Sequence, residues 1–337
     1  IQMGIYKKGN YMNKNKLDSI GFYTLSDERC KNASKNSPIW RAEILLTDKC
    51  NFNCPYCKGL KEELRGDKKF DAIIQTLSWL FDNKLVNIRF SGGEPTLDKN
   101  LLDYVILCKA NKVKRIAIST NGSADLNYYK QLIKYGVNDF SISLDACCAS
   151  TADIMAGKQG QYSKVINNIK ELAKMTYVTV GIVFDEQNIS QLEGTITLAS
   201  ELGVSDIRII PSAQYNKESI LAKIQFNYSN YPILKYRIEN YNNNISIRGL
   251  AETDNNKCPL VLDDIVLCGN KNKNILHFPC IIYLREGGKE IGELSNTTRQ
   301  DRLLWYNTHN AQNDPICKKQ CLDICRSFNN SYKIYHK

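Results

Sequence analysis

The chain has 337 residues, enough for one large domain or two ordinary ones, and its 43% apolar and 24% charged residues exclude global disorder or a fibrous repeat. The net charge of +10 is dispersed, so it permits a nucleic-acid partner without demanding one. Apolar runs such as 42–46 and 281–284 stop far short of the roughly 18 residues that span a bilayer, and the lysine-bearing start lacks a secretory apolar region. A cytoplasmic protein with no membrane partner is expected.

Numbering begins at Ile1, Met12 is a candidate start, and residues 1–39 read as an N-terminal extension. From there short β-branched runs alternate with segments of helical period. The predicted strands are 42–47, 87–91, 115–120, 139–144, 178–184 and 206–210. Between them Phe70, Ile73, Ile74, Leu77, Leu80 and Phe81 make one helical stripe, Leu101, Leu102, Val105 and Ile106 another, and Val165, Ile169, Leu172 and Met175 a third. That rhythm means parallel strands with crossover helices, which a partial (β/α) barrel and a doubly wound sheet both satisfy. After about residue 215 the rhythm stops. Residues 216–250 read as a linker, and 251–337, with turn signals and cysteines but little apolar periodicity, read as a small region whose order depends on metal.

Thirteen cysteines, an odd number without a secretion signal, argue for thiolate ligands and against a disulfide framework. The first strand runs into Cys50-Asn51-Phe52-Asn53-Cys54-Pro55-Tyr56-Cys57. Three thiolates in one loop can take three corners of an iron–sulfur cube and leave one iron open; the spacing alone leaves a zinc knuckle as the alternative. Position at the end of the first strand of an α/β array favours a catalytic site.

CxxxCxxC with aromatic Tyr56 resembles the signature of the radical S-adenosylmethionine (SAM) superfamily, and Gly92-Gly93-Glu94-Pro95 after the second strand matches its GGEP motif. The resemblance implies a partial (β/α)6 TIM-like barrel over 40–215 and a [4Fe–4S] cluster on Cys50, Cys54 and Cys57. SAM would bind the open iron, and its reductive cleavage would yield a 5′-deoxyadenosyl radical. Gly92 and Gly93 would let backbone approach a ligand closely, and Glu94 would accept from the methionine ammonium. Ser119 and Asn121 after the third strand, and Ser143 and Asp145 after the fourth, resemble family positions that meet ribose or carboxylate. Small polar residues in turns and caps are the alternative reading. Gly181 resembles the glycine of a weaker family motif, and no role is assigned to it.

Further on, Cys258-Pro259-Leu260, Phe278-Pro279-Cys280 and Ile291-Gly292, with the late cysteines, resemble the auxiliary-cluster extension called SPASM, or its shorter form, twitch. Six cysteines from Cys258 onward imply one auxiliary [4Fe–4S] cluster in a small domain over 251–337. Its implied ligands are Cys258, Cys280, Cys317 and Cys321, with Cys325 competing for the last place; a zinc site on the same thiolates is the alternative. Cys147 and Cys148 are candidate donors of a hydrogen atom to a substrate radical, or else packed as small hydrophobes. Cys30, Cys108 and Cys268 read as non-ligands.

The expected function is hydrogen-atom abstraction from a peptide or protein, with an external electron donor such as flavodoxin or ferredoxin. The alternatives are a small-molecule, nucleotide, nucleic-acid or sugar substrate, or a zinc-stabilised nucleic-acid binder. Fewer than 50 residues precede Cys50, which speaks against a leader-binding domain, and the chain end lacks the paired glycines of the family's GTP cyclase.

Overall fold

The computed structural model describes residues 27–66, 70–213, 221, 223–272 and 274–336. Met12 and most of the expected N-terminal extension, together with 214–220 and 222, lie outside the described residues. Six strands come first: β1 Arg41–Thr47, β2 Asn87–Gly92, β3 Arg115–Thr120, β4 Asp139–Ser143, β5 Tyr177–Phe184 and β6 Asp206–Pro211. Each pairs with the next in parallel, as the β-branched runs separated by helices predict. Alternation sorts their side chains. Ile44, Phe90, Ile118, Phe140, Val180 and Ile207 face outward onto the helices, meeting Leu77, Val105, Leu132 and Ile169 in one core. Arg41, Glu43, Arg89, Ser119 and Arg208 face the other way and line a cavity on the concave side.

All three predicted stripes are only partly buried: in the first, Ile73, Leu77 and Leu80 are buried but Phe70 is 41% exposed. The helix Leu101–Ala110 buries Leu101, Tyr104, Val105 and Cys108, leaving Ile106 at 39% exposure, because the larger Tyr104 ring takes the inward position. Met175 lies past the end of the helix Tyr162–Ala173 and is 43% exposed.

The carboxy-terminal third differs from the expected separate region. β7 Asp264–Gly269 joins the same sheet, parallel to β1, followed by the antiparallel β8 Ile275–Phe278 and β9 Gly292–Glu293. The open sheet runs β6-β5-β4-β3-β2-β1-β7-β8-β9. Every residue of β7 is buried, with Ile265 and Leu267 in the main core, so apolar packing and not metal alone orders this third. The expected linker also holds structure: the helix Pro232–Asn242 buries Ile233, Leu234 and Ile238. Its first turn is held by Asp206 of β6, whose carboxylate accepts from Ile233 N at 3.1 Å. No helix among the described residues is long and apolar enough to cross a membrane.

Candidate active site

The loop after β1 presents Cys50 and Cys57 to solvent and half-buries Cys54. Backbone holds it from two sides. Gly93 N donates to Thr47 O at 2.7 Å and Glu94 N to Lys49 O at 2.8 Å, while Asn53 N donates to Ala156 O at 2.9 Å. The approach is so close that a Cβ on Gly92 (φ +142°) would lie 2.3 Å from Thr47 O, one on Gly93 2.2 Å from Lys49 O, and one on Gly157 (φ +55°) 2.0 Å from Asn53 O. The glycines at 92 and 93 were expected to admit a ligand; what approaches them is the cysteine loop itself. Gly157, which ends the helix Ala149–Ala156, is the clamp that the sequence did not reveal.

Glu94 departs from expectation too. Its side chain is 1% exposed: Oε1 accepts from Thr96 N (3.1 Å), Thr96 Oγ1 (2.7 Å) and Thr120 Oγ1 (2.7 Å), and Oε2 from Asn121 N (2.7 Å). The carboxylate stitches the end of β2 to the end of β3 and is not on the cavity wall. Asn121 continues the stitch, donating from Nδ2 to Asn51 Oδ1 at 2.8 Å within the cysteine loop. At the end of β4 Asp145 accepts from Tyr56 OH at 2.5 Å and from Val183 N at 2.7 Å. Burial pushes its carboxyl up to about 6 against those two hydrogen bonds. The aromatic of the cysteine motif is therefore a donor anchored to β4, and burial beside Asp145 holds its phenol well above the usual range.

A cavity of about 430 Å³ opens below the loop. Cys50, Cys54 and Cys57 line it together with Tyr56, Gly92, Gly93, Ser119, Asn121, Ser143 and Asp145, so the predicted site residues converge, Glu94 apart. At the strand ends Ser119 is half-buried and Ser143 exposed. Cys147 and Cys148 are not on the wall. Both sulfurs reach Gln191 Oε1, at 3.5 and 3.3 Å, because the chain turns outward after Asp145 into the helix Ala149–Ala156. Hydrogen bonds from Ser150 and Thr151 lower the Cys148 thiol to about 6. Sulfurs off the cavity wall are poorly placed to return a hydrogen atom to a substrate inside it.

Residues 44–199 match the Radical SAM superfamily, across the strands and turns just described. The chain carries a radical SAM domain. Among curated proteins, it is 26% identical over 175 residues to a probable GTP 3′,8-cyclase of Sulfurisphaera tokodaii, covering 50% of this chain and 54% of that protein. It is 30% identical over 174 residues to the antilisterial bacteriocin subtilosin biosynthesis protein AlbA of Bacillus subtilis, covering 48% and 37%. The chain thus spans about half or less of the length of these relatives. In fold it is similar to Streptococcus suis SuiB bound to precursor peptide SuiA (TM-score 0.56, 18% identity, 84% of this chain, 66% of that). It is likewise similar to anSMEcpe with bound AdoMet (TM-score 0.58, 15% identity, 88% and 94%). The sheet of the radical SAM domain is a partial barrel of that kind, not closed.

SAM and a [4Fe–4S] cluster are the cofactors of such a domain, and the loop fits them. Its donor set is three thiols and no other ligand type. Burial, with Asp145 and the neighbouring thiols adding to it, pushes Cys54 up to about 12, a penalty that a bound cation removes.

Beyond the radical SAM domain five more thiols gather. Cys258 precedes the 3₁₀ turn Pro259–Leu262, and Cys280 caps the helix Ile281–Arg285, so the β7–β8 hairpin brings the two together. Cys317 lies in the helix Pro315–Gln320, and the chain breaks at Cys321 (ψ 130°) before the helix Asp323–Tyr335, which carries Cys325. That break lets the three late thiols converge. Burial and then the charges of Cys325, Cys258, Cys280 and Cys317 push Cys321 well above the thiol range. Cys317 also lies 3.6 Å from His309 Nε2. Cys30, Cys108 and Cys268 are instead buried among apolar neighbours.

Two of the five, Cys280 and Cys325, line the same cavity as the cysteine loop. Arg285 fastens the two regions, donating to Gly59 O at 2.9 Å and to Gly92 O at 2.6 Å. Arg285 escaped the sequence reading, as did the cavity arginines Arg41, Arg89 and Arg208. Their signal was a charge at alternate positions of otherwise apolar strands, which is where a strand turns a polar group toward an interior cavity.

Proposed function

We propose that this chain is a radical SAM enzyme that abstracts a hydrogen atom from a peptide or protein. In this reading an auxiliary [4Fe–4S] cluster is held by Cys258, Cys280, Cys317 and either Cys321 or Cys325. The observation that carries it is the single cavity bounded by Cys50, Cys54 and Cys57 on one side and by Cys280 and Cys325 on another. A substrate there touches both groups of thiols. When bound, the cluster and SAM supply one-electron cleavage of the sulfonium and with it hydrogen-atom abstraction. The chain's own part is positional. Tyr56 and Asp145 fix the loop against β4, Glu94 and Asn121 fix β2 and β3 beneath it, and Ser119 and Ser143 offer hydroxyls to the ligand. Flavodoxin or ferredoxin would deliver the electrons.

A peptide substrate is supported by likeness over most of the chain to a fold seen bound to a precursor peptide, and by the partial identity to a bacteriocin biosynthesis protein. A nucleotide is the second reading, favoured by the GTP 3′,8-cyclase relatives, whose match spans half of this chain. The test uses anaerobically reconstituted protein with dithionite and SAM. Wild type should hold about eight irons and form 5′-deoxyadenosine, and the triple change Cys50→Ala, Cys54→Ala, Cys57→Ala should remove about four irons and all cleavage. Retained cleavage would sink the reading. If GTP, but no candidate peptide, accelerated 5′-deoxyadenosine formation, the nucleotide reading would replace the peptide one.

A further inference from the structure

Several arginines of the sheet and its flanks are paired with acids. Arg29 bonds Asp263 at 2.9 Å, Arg41 bonds Asp264 at 2.9 Å, Arg237 sits 3.1 Å from Asp323, and Arg115 lies 3.7 Å from Asp139. Arg208, in the middle of β6, makes no ion pair among the described residues. Its one side-chain hydrogen bond among the described residues is a long 3.5 Å approach of Nη2 to Ser141 Oγ. It nevertheless lies on the cavity wall.

Its posture is set by its neighbour. Arg208 is in register with Gly181 of β5, and a Cβ there would lie 3.1 Å from Nη2 and 3.8 Å from both Cζ and Nε. Near-equal distances mean that the guanidinium lies across the bare backbone of Gly181, in space that any larger residue would contest. The acid that acts on it, Asp139, acts on Arg115 and Arg89 as well. Arg89, also on the wall, is within electrostatic reach of Arg208, and each cation opposes the other. Of the nearby acids, Glu43 accepts the Ser91 hydroxyl at 2.7 Å and Asp139 faces Arg115. On the inner face of the sheet Arg41, Arg89, Arg115 and Arg208 stand with Glu43, Asp139, Asp206 and Asp264, and Asp206 is engaged by the amide of Ile233. An anion between Arg89 and Arg208 would offset the repulsion of the two cations, and a guanidinium's planar fork suits a carboxylate or a phosphate. β6 is the edge strand, four steps along the sheet from the glycines of β2, and Leu322 and Ile324 of the carboxy-terminal segment share its cavity.

We propose that Arg208, lying over Gly181 with Arg89 beside it, is a substrate-binding residue that holds an anionic group, carboxylate or phosphate, of the molecule to be modified. The proposal deepens the functional reading above and rests on it for the word substrate. The test is calorimetric titration of the anaerobically reconstituted protein, saturated with SAM, using glutarate as the acidic side-chain probe and inorganic pyrophosphate as the phosphate probe. One of them should bind, and which one binds tells a carboxylate substrate from a phosphorylated one. Arg208→Gln should weaken that probe at least tenfold while SAM affinity changes less than twofold. Arg208→Lys, which keeps the charge and most of the volume but not the fork, should fall between, and covers the case in which the Gln variant does not fold. Equal loss of SAM affinity would overturn the proposal, because the guanidinium would then serve SAM's own carboxylate. So would binding of neither probe, or equal probe binding in all three proteins. Failure of the wild type to load iron or cleave SAM would count against the functional reading, whereas unchanged probe binding in the variants with iron loading and SAM cleavage intact would count against the role of Arg208 alone.

Discussion

The two groups of thiols are built on opposite plans. The loop of Cys50, Cys54 and Cys57 is open to solvent, and its shape comes from backbone hydrogen bonds and three glycines. The carboxy-terminal five sit half-buried on helices and a hairpin, where each thiolate would raise the cost of the next. An open, pre-shaped loop suits a cluster that must meet a ligand. A crowded buried nest suits one enclosed by protein, and is stabilised by whatever cation it holds.

The sharpest way to break this contrast is to deform the loop without touching a thiol. Gly157→Ala and Gly93→Val each place a carbon about 2 Å from a backbone oxygen of the loop. Each should lower bound iron by about half and abolish SAM cleavage. Gly59→Ala is the control: it also has positive φ, but nothing lies within 4 Å of its Cβ. It should cost about 1 kcal/mol in a denaturation titration and keep its iron. Iron retained in both clamp variants would mean that the loop is not pre-shaped.

The buried nest predicts a different result. Cys258→Ala or Cys280→Ala should also halve the iron, yet β7 should stay protected in hydrogen exchange, because Ile265 and Leu267 belong to the main core. Loss of β7 protection would restore the idea that metal orders this third of the chain. Cys321→Ala and Cys325→Ala compared by iron content decide the last ligand, since the variant that leaves iron unchanged has lost a bystander. The smallest effect is expected from Tyr56→Phe. It removes one hydrogen bond to Asp145 and should lower stability by about 1 kcal/mol with full iron loading. Iron loss there would show that the phenol holds the loop.

How much of this was legible follows from the same contrast. The six parallel strands were readable because runs such as Ile116–Ile118 are short, β-branched and separated by helical periods. The cysteine loop was readable because its ligands are adjacent in sequence. β7 was missed because its neighbour is β1, and no local pattern encodes a register 223 residues away. The hydrogen bonds of Glu94 were illegible for a related reason. A motif tells which residue is present, but its four donors come from Thr96, Thr120 and Asn121, and only the fold brings those together. Gly157 and Arg208 were illegible because each matters through one contact with a distant strand or loop.

The place of β1 has a consequence for synthesis. Among the described strands it is the first to leave the ribosome, yet one of its two edges is completed only by Asp264–Gly269. At about 5–20 residues per second, the 223 residues between Arg41 and its partner Asp264 take roughly 10 to 45 s to make. Through that interval the nascent chain carries a hydrophobic strand with unpaired amides along one side, the kind of edge that recruits other strands. Chaperone cover during translation, and lower expression temperature in the laboratory, therefore bear on this chain's yield more than its folded stability does.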